Sequence, residues 1–376
     1  MEKNSKIYVA GHTGMVGSAI LRKLKEEGFN QIIGRTFEEL DLTNQQAVID
    51  FFESERPEYV FLAAAKVGGI LANNNYHAQL IYENLMIQNN IIHNSFVYGA
   101  KKLLFLGSSC IYPNDCHQPI KEEYLLTGEL EQTNEPYAIA KIAGIKMCEN
   151  YHRQYGCNFI SVIPPNLYGP NDNYNLQTSH VLTALIRKMH LGKCLEKNDW
   201  TEIRKDLNKR PIECVNGLSD KDDILRILSK YGITITSSFT DFRYPSTTRF
   251  NKVNIALWGN GKAFSEFMHV DDMGLGCLFT IKEINMESLI SNENKTFTAF
   301  LNIGTGIDQT IKDLAFLIKP IVGYNDDIVF DQCHPDATYK KLLDVSILQR
   351  KGFKPKHTLK SGITQVYQSY QNNLQN

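Results

Sequence analysis

The sequence is short of the features that mark several broad classes of protein. Its 40 basic and 41 acidic residues leave a formal charge of -1, so no global basic field exists to hold nucleic acid or an anionic membrane by counterion release. Anions must be gripped locally. None of the eight cysteines forms a CxxC pair or joins histidines at ligand spacing, which argues against zinc, and no metal is expected. No leader-like apolar region separates Met1 from the first strand, so a disulfide framework is not expected and a reducing cytoplasm is. The most apolar stretch, Phe61 to Ala72, contains Lys66 and is too short to span a bilayer. Internal repeats and low-complexity tracts are missing as well.

What is present is an ordinary soluble composition, 43% hydrophobic and 22% charged over 376 residues, enough for one large domain and a smaller companion. Residues 6–34 read as a βαβ unit: a strand Ile7 to Ala10, a glycine turn, a helix striped by Val16, Ile20 and Leu24, and a strand around Gln31 to Ile33. Short strands follow at Tyr59 to Ala63, Lys102 to Leu106 and Phe159 to Ile163, each after a helix-length segment. This alternation predicts an α/β fold with a doubly wound parallel sheet and helices on both faces. Residues 1–170 are read as a dinucleotide-binding domain, with some later segments returning to it, and 171–376 as mainly a substrate domain. Within the latter, 196–252 holds 20 charged residues and two glycines, which reads as a small, largely solvated helical insertion. Ile224, Ile227, Leu228 and Tyr231 give it one helical stripe, opened by Asp220 and closed by Gly232.

Gly11-His-Thr-Gly14-Met-Val-Gly17 stands between the first strand and the first helix. The first glycine permits a tight turn, the second lets backbone approach a pyrophosphate, and the third lets helix pack on strand. Free N–H groups at the helix start would face the anion. The GxxGxxG spacing is that of short-chain dehydrogenases. The second strand ends at Gly34-Arg35 without the acidic residue that holds a ribose 2′-hydroxyl, so a cation stands ready for a 2′-phosphate and NADP(H) is favoured. The alternative is a solvated surface arginine. Asp41 and Leu42 lie where this class contacts adenine.

Tyr137 and Lys141 stand four apart in Tyr-Ala-Ile-Ala-Lys, one helical turn, and share a face. A nearby ammonium favours the phenolate and is expected to lower the tyrosine pKa. The phenol can then serve as acid to a ketone oxygen, with Ser108, just after the strand ending at Leu106, bonding the same oxygen.

With these residues in place the chain resembles the GDP-L-fucose synthase family of extended short-chain dehydrogenase/reductases. The resemblance runs through Gly11-His12, Gly14 to Ile20, Leu62 to Ile70, Leu104 to Pro113, Thr133 to Gly144, Asn166 to Pro170 and His269 to Met273. It spans nearly the whole chain except 196–252. It implies a Rossmann-type fold, a homodimer, and a GDP-4-keto-6-deoxy-mannose epimerised at C3 and C5 and then reduced at C4 with NADPH. It gives the acid and base roles of the epimerisation to Cys110 and His180. Cofactor contacts are implied at Gly11, Thr13, Gly14, Met15, Val16, Gly17, Arg35, Asp41, Leu42, Ala63, Ala64, Ala65, Leu106, Gly107, Ser109, Pro164, Asn166 and Leu167. Substrate contacts are implied at Lys188, Trp258, Ser265, Asp336 and Lys341.

Departures from the family pattern point to an altered sugar pocket. Ser265 replaces an arginine that would hold the diphosphate bidentately, Thr13 and Phe37 replace arginines near the 2′-phosphate, and Pro165 replaces a threonine. Similar reductases act on GDP-4-keto-heptoses in capsule pathways, some without epimerising, and that is the rival expectation. A binding protein that has lost its chemistry is disfavoured by the intact Ser108, Tyr137 and Lys141.

Overall fold

A computed structural model of the chain describes residues 1–67, 76–237, 251–289, 300–331 and 340–375. In chain order the first part contains β1 (Ile7–Ala10), α1 (Met15–Glu26), β2 (Ile32–Ile33), α2 (Gln45–Glu55), β3 (Tyr59–Leu62), α3 (His77–Val97), β4 (Lys102–Leu106), α4 (Glu135–Tyr155), β5 (Phe159–Ile163) and β6 (Asn166–Tyr168). There follow α5 (Val181–Glu196), α6 (Trp200–Lys209), α7 (Lys221–Lys230), β7 (Ile233–Ser237), β8 (Asn251–Trp258) and β9 (Phe264–His269). The last part holds α8 (Val270–Glu283), β10 (Phe300–Asn302), β11 (Asp308–Thr310), α9 (Ile311–Val322), β12 (Asp327–Asp331), β13 (Lys340–Lys341), α10 (Ser346–Arg350) and α11 (Leu359–Gln375).

Two compact units result. The first comprises Met1–Asn171, Glu266–Asp308 and Lys341–His357. Its sheet has six strands in the order β10-β5-β4-β3-β1-β2, all parallel. Alternation along each strand splits the core between the two faces. Ile7 and Val9 pack with Ile20 and Leu24 of α1 and with Met273 and Cys277 of α8. Tyr8 and Ala10 pack with Phe52 of α2, Ile91 of α3 and Ile145 of α4. The strands end close to where the sequence places them, with Gln31 and Ala63 just outside β2 and β3.

The second unit comprises Asp172–Ser265, Gln309–Lys340 and Thr358–Asn376. Here β8 pairs in parallel with β12 and antiparallel with β7, and α5 packs on β8. The reading of 196–252 as a solvated helical insertion holds in part: α6 and α7 are helices, α7 opening after Asp220 as expected, residues 238–250 lie outside the described ones, and the rest is less solvated than expected. Ile203 and Leu207 of α6 and Ile224 and Leu228 of α7 are fully buried, and β7 is a strand of the sheet. The physical reason lies in its charges. Asp206, also fully buried, accepts from Arg187 Nε at 2.9 Å and Nη2 at 2.7 Å and from the Tyr370 hydroxyl. One member of an apparently solvated charge run is thus an anchor inside the unit.

Among the described residues no helix is long and apolar enough to cross a membrane, and no group of three His, Cys, Asp or Glu side chains is placed to hold a metal.

Candidate functional site

Three turns at the ends of β1, β3 and β4 build the site of the first unit. Gly11 takes φ +80°, and a Cβ there would fall 2.7 Å from the Ala64 nitrogen. A Cβ on Gly17 would fall 2.0 Å from the Gly11 carbonyl oxygen, so only glycine lets α1 start this close to the strand end. The Gly11 turn therefore meets Ala63 and Ala64, with Ala63 N–H donating to the Ala10 carbonyl at 3.0 Å and Ala65 next in the chain. Gly14 caps α1 with no side-chain hydrogen bond, leaving the first-turn N–H groups of Met15 and Val16 uncapped beside an exposed Thr13. This cradle fits a pyrophosphate, which needs close backbone approach and aligned N–H donors.

At the end of β2, Arg35 donates to the Gly34 carbonyl at 3.1 Å and to Glu55 Oε1 at 2.8 Å. It lies over the Phe51 ring. Its guanidinium is therefore tethered rather than free in solvent. Asp41 accepts from Thr43 N at 2.9 Å and Thr43 Oγ1 at 2.8 Å, and the Leu42 carbonyl accepts from Asn90 at 2.8 Å. Both hold a turn in shape.

After β4 the chain passes Leu106 and Gly107 into a short turn, Ser109–Ile111, whose N-cap is Ser108. Cys110 N–H approaches Ser108 Oγ at 3.4 Å, Ser109 N–H donates to the Pro164 carbonyl at 3.2 Å, and Gly107 N–H donates to Val162 at 2.9 Å. A Cβ on Gly107 would fall 2.3 Å from Ile163 Cδ1. Asn166 and Leu167 continue into β6, which pairs in parallel with β9. Helix α4 brings Tyr137 and Lys141 to this turn. Lys141 Nζ donates to the Leu106 carbonyl at 2.7 Å and lies 5.6 Å from the Tyr137 ring centroid.

Burial sets the electrostatics. It pulls the Lys141 ammonium down to about 8, against the attraction of Cys110. It pushes the Tyr137 phenol well up, with Cys110 adding to the rise. The tyrosine is therefore raised where a lowering by its lysine was expected, because desolvation of the phenolate dominates. Burial also raises the Cys110 thiol, opposed by Ser108 and by the charges of Lys341 and Lys141. Ser108, Cys110, Tyr137, Lys141 and Lys341 form one interacting group.

The other expected residues lie in the second unit. His180 is the exposed N-cap of α5. Lys188, about two turns further along, donates to the Ala256 carbonyl at 3.3 Å and is pulled down to about 8 by burial. Trp258 ends β8 with 62% of its surface exposed, and Ser265, second residue of β9, is half-buried. Asp336 lies outside the described residues.

Glu266 is a residue that motif reading missed. Fully buried, it accepts from Thr305 N and Gly306 N, the latter at 2.8 Å, and from Leu343 N at 3.1 Å. It thereby fixes the backbone two residues beyond Lys341. A lone carboxylate between Phe264 and Phe267 in an apolar strand was the sequence clue, since such a group is retained inside only when bonded.

Comparison with known proteins adds an independent line. The profile of the NAD dependent epimerase/dehydratase family matches residues 7–210. GDP-L-fucose synthase of Escherichia coli (strain K12) is 42% identical over 368 residues, 98% of this chain and 97% of that protein. A solved GDP-6-OMe-4-keto-L-xylo-heptose reductase from C. jejuni superposes with a TM-score of 0.88 at 42% identity, covering 99% of each chain. A GDP-mannoheptose C4 reductase from Campylobacter jejuni with NADP bound gives 0.83 at 41%, again over 99% of each chain. Similarity of this extent, over the glycine turn, the Tyr137 helix and the second unit alike, means that the chain belongs to the NAD dependent epimerase/dehydratase family, among members similar to GDP-L-fucose synthase.

Proposed function

We propose that the protein reduces the C4 ketone of a GDP-linked 4-keto-6-deoxy sugar with NADPH after epimerising C3 and C5. The observation that carries this reading is the grouping of Ser108, Cys110, Tyr137, Lys141 and Lys341 around the end of β4. Bound NADPH supplies the hydride to the ketone carbon. Tyr137, kept protonated by burial, gives its proton to the oxygen that becomes the hydroxyl, and Ser108 hydrogen-bonds that oxygen. The Lys141 charge then stabilises the phenolate left behind.

Epimerisation uses the same oxygen-binding groups before hydride transfer. The Cys110 thiolate, favoured by Lys341 and Lys141, removes a proton from a carbon acidified by the adjacent ketone, and His180 returns one to the opposite face. In the second unit Lys188 regains its full charge against a diphosphate, and Trp258 offers a ring face to guanine. Ser265, Lys341 and Asp336 complete the substrate contacts. The free state of every described cysteine supports a reducing, cytoplasmic setting, and the resemblance supports a homodimer.

The second reading is a C4 reductase of a GDP-4-keto-heptose that does not epimerise. Ser265 favours it, because serine cannot make the bidentate grip of the arginine it replaces. Incubation with GDP-4-keto-6-deoxy-mannose in deuterated water, with and without NADPH, separates the two. Deuterium at C3 and C5 is expected without NADPH, followed by reduction once NADPH is added. Reduction with no exchange on any GDP-4-keto hexose or heptose would establish the second reading instead.

A further inference from the structure

The end of the second strand is where this fold distinguishes a ribose 2′-hydroxyl from a 2′-phosphate. Two residues that no sequence spacing connects meet there. His12, in the glycine turn, lays its imidazole against Gly34: a Cβ built on Gly34 would fall 2.5 Å from its Cγ and 2.7 Å from its Nδ1. Gly34 does not adopt a left-handed backbone, so its own conformation does not call for glycine. The ring does. Nδ1 is enclosed and has no hydrogen-bond partner. An orphaned buried N–H is rarer than an under-satisfied acceptor, so the enclosed Nδ1 leaves Nε2 as the ring nitrogen with an N–H to offer a ligand.

Arg35, the neighbouring cation, is already committed in part. Its Nη2 donates to Glu55 at 2.8 Å, while Glu55 also pairs with Lys6 at 3.2 Å. Thr13 and Phe37 bring no charge. A doubly ionised phosphate ester set against one half-neutralised arginine calls for a second donor.

We infer that His12 is a specificity-determining residue for the cofactor: its imidazole, seated on Gly34, donates a hydrogen bond to the 2′-phosphate of NADPH beside Arg35. The inference rests on the reading above that the dinucleotide runs from the glycine turn to the end of β2.

Dissociation constants for NADPH and NADH, titrated on His12→Ala, Gly34→Ala, the double variant and Arg35→Ala, test it. His12→Ala is expected to weaken NADPH about tenfold, as for loss of a hydrogen bond to a charged group, and to leave NADH nearly unchanged. Gly34→Ala should reproduce this by displacing the ring, and the double variant should be no worse than either single one. Equal losses for both cofactors would place the ring against the shared ribose and overturn the assignment, as would full additivity in the double variant. If only Arg35→Ala weakens NADPH, the His12 inference falls while the cofactor reading stands. If none of the variants matters, the path of the dinucleotide is itself wrong. Should Gly34→Ala fail to fold, His12→Gln serves in its place: it keeps an N–H donor and is expected to retain NADPH better than His12→Ala, and equal loss in the two would overturn the inference.

Discussion

Lys141 in the first unit and Arg187 in the second are both cations sealed from water, 3% and 0% exposed. Their surroundings differ in kind. Arg187 has two bonds to Asp206, one to the Tyr174 carbonyl at 3.1 Å and one to the Arg210 carbonyl, while Tyr370 satisfies the remaining oxygen of Asp206. Among the described residues Lys141 has a single carbonyl at 2.7 Å and no carboxylate partner. Its charge is held down by burial beside the Phe105 ring, and the titratable groups it interacts with are a phenol and a thiol that burial holds up. Fully paired buried charge fixes a fold. Perturbed groups left with few protein partners mark a place where a ligand is meant to complete the set.

The sharpest way to break that contrast is to remove Asp206. Asp206→Ala strands Arg187 in the interior, and the loss of one partner of a buried pair costs about 3–5 kcal/mol. Both tryptophans, Trp200 and Trp258, belong to the second unit, so tryptophan fluorescence in a urea titration reports on that unit. A loss of less than about 1 kcal/mol, taken from midpoint and slope together, would show that the pair is not the anchor described.

Tyr137→Phe asks the converse question. A group kept for chemistry should be removable at little cost to the fold, because the phenylalanine ring fills the same space and no charge is stranded. NADPH oxidation is expected to fall roughly 10²-fold or more with both ligands still binding. Unchanged turnover would remove Tyr137 from the reaction, and a large drop in stability would move it into the company of Arg187.

The same contrast explains what the sequence made legible. The βαβ unit, the glycine turn and the Tyr137–Lys141 face are local: periods of two and 3.6 and a spacing of four state them within a few residues of chain. The pairing of a charge is not local. Asp206 sits among 20 charged residues between positions 196 and 252 and nothing in its neighbourhood distinguishes it from the solvated ones. Its partners Arg187 and Tyr370 are 19 and 164 residues away. Strand β10 was missed for a related reason, since three residues are too few to show a period and only its pairing with β5 defines it. The pKa of Tyr137 went the opposite way to expectation because spacing reveals a neighbouring lysine but not how deeply both are buried.

Arg35 lies between the two cases and gives the smallest effect. It is half-exposed and bound to Glu55 like a structural charge, yet it ends the strand at which the proposed reading puts the cofactor's 2′-phosphate. If Glu55 is a competitor for the phosphate, Arg35→Ala should weaken NADPH relative to NADH by about 1 kcal/mol, near the low end for a bond to a charged group. Glu55→Gln should act in the opposite direction, releasing the guanidinium and tightening NADPH several-fold. The same geometry suits the opposite role, in which Glu55 is a tether that orients Arg35 for the phosphate. Glu55→Gln would then weaken NADPH rather than tighten it, since an unanchored arginine loses more side-chain entropy on binding. The sign of that one change, read from paired NADPH and NADH titrations at low and at physiological salt, decides whether Arg35 belongs with the paired charges or with the waiting ones.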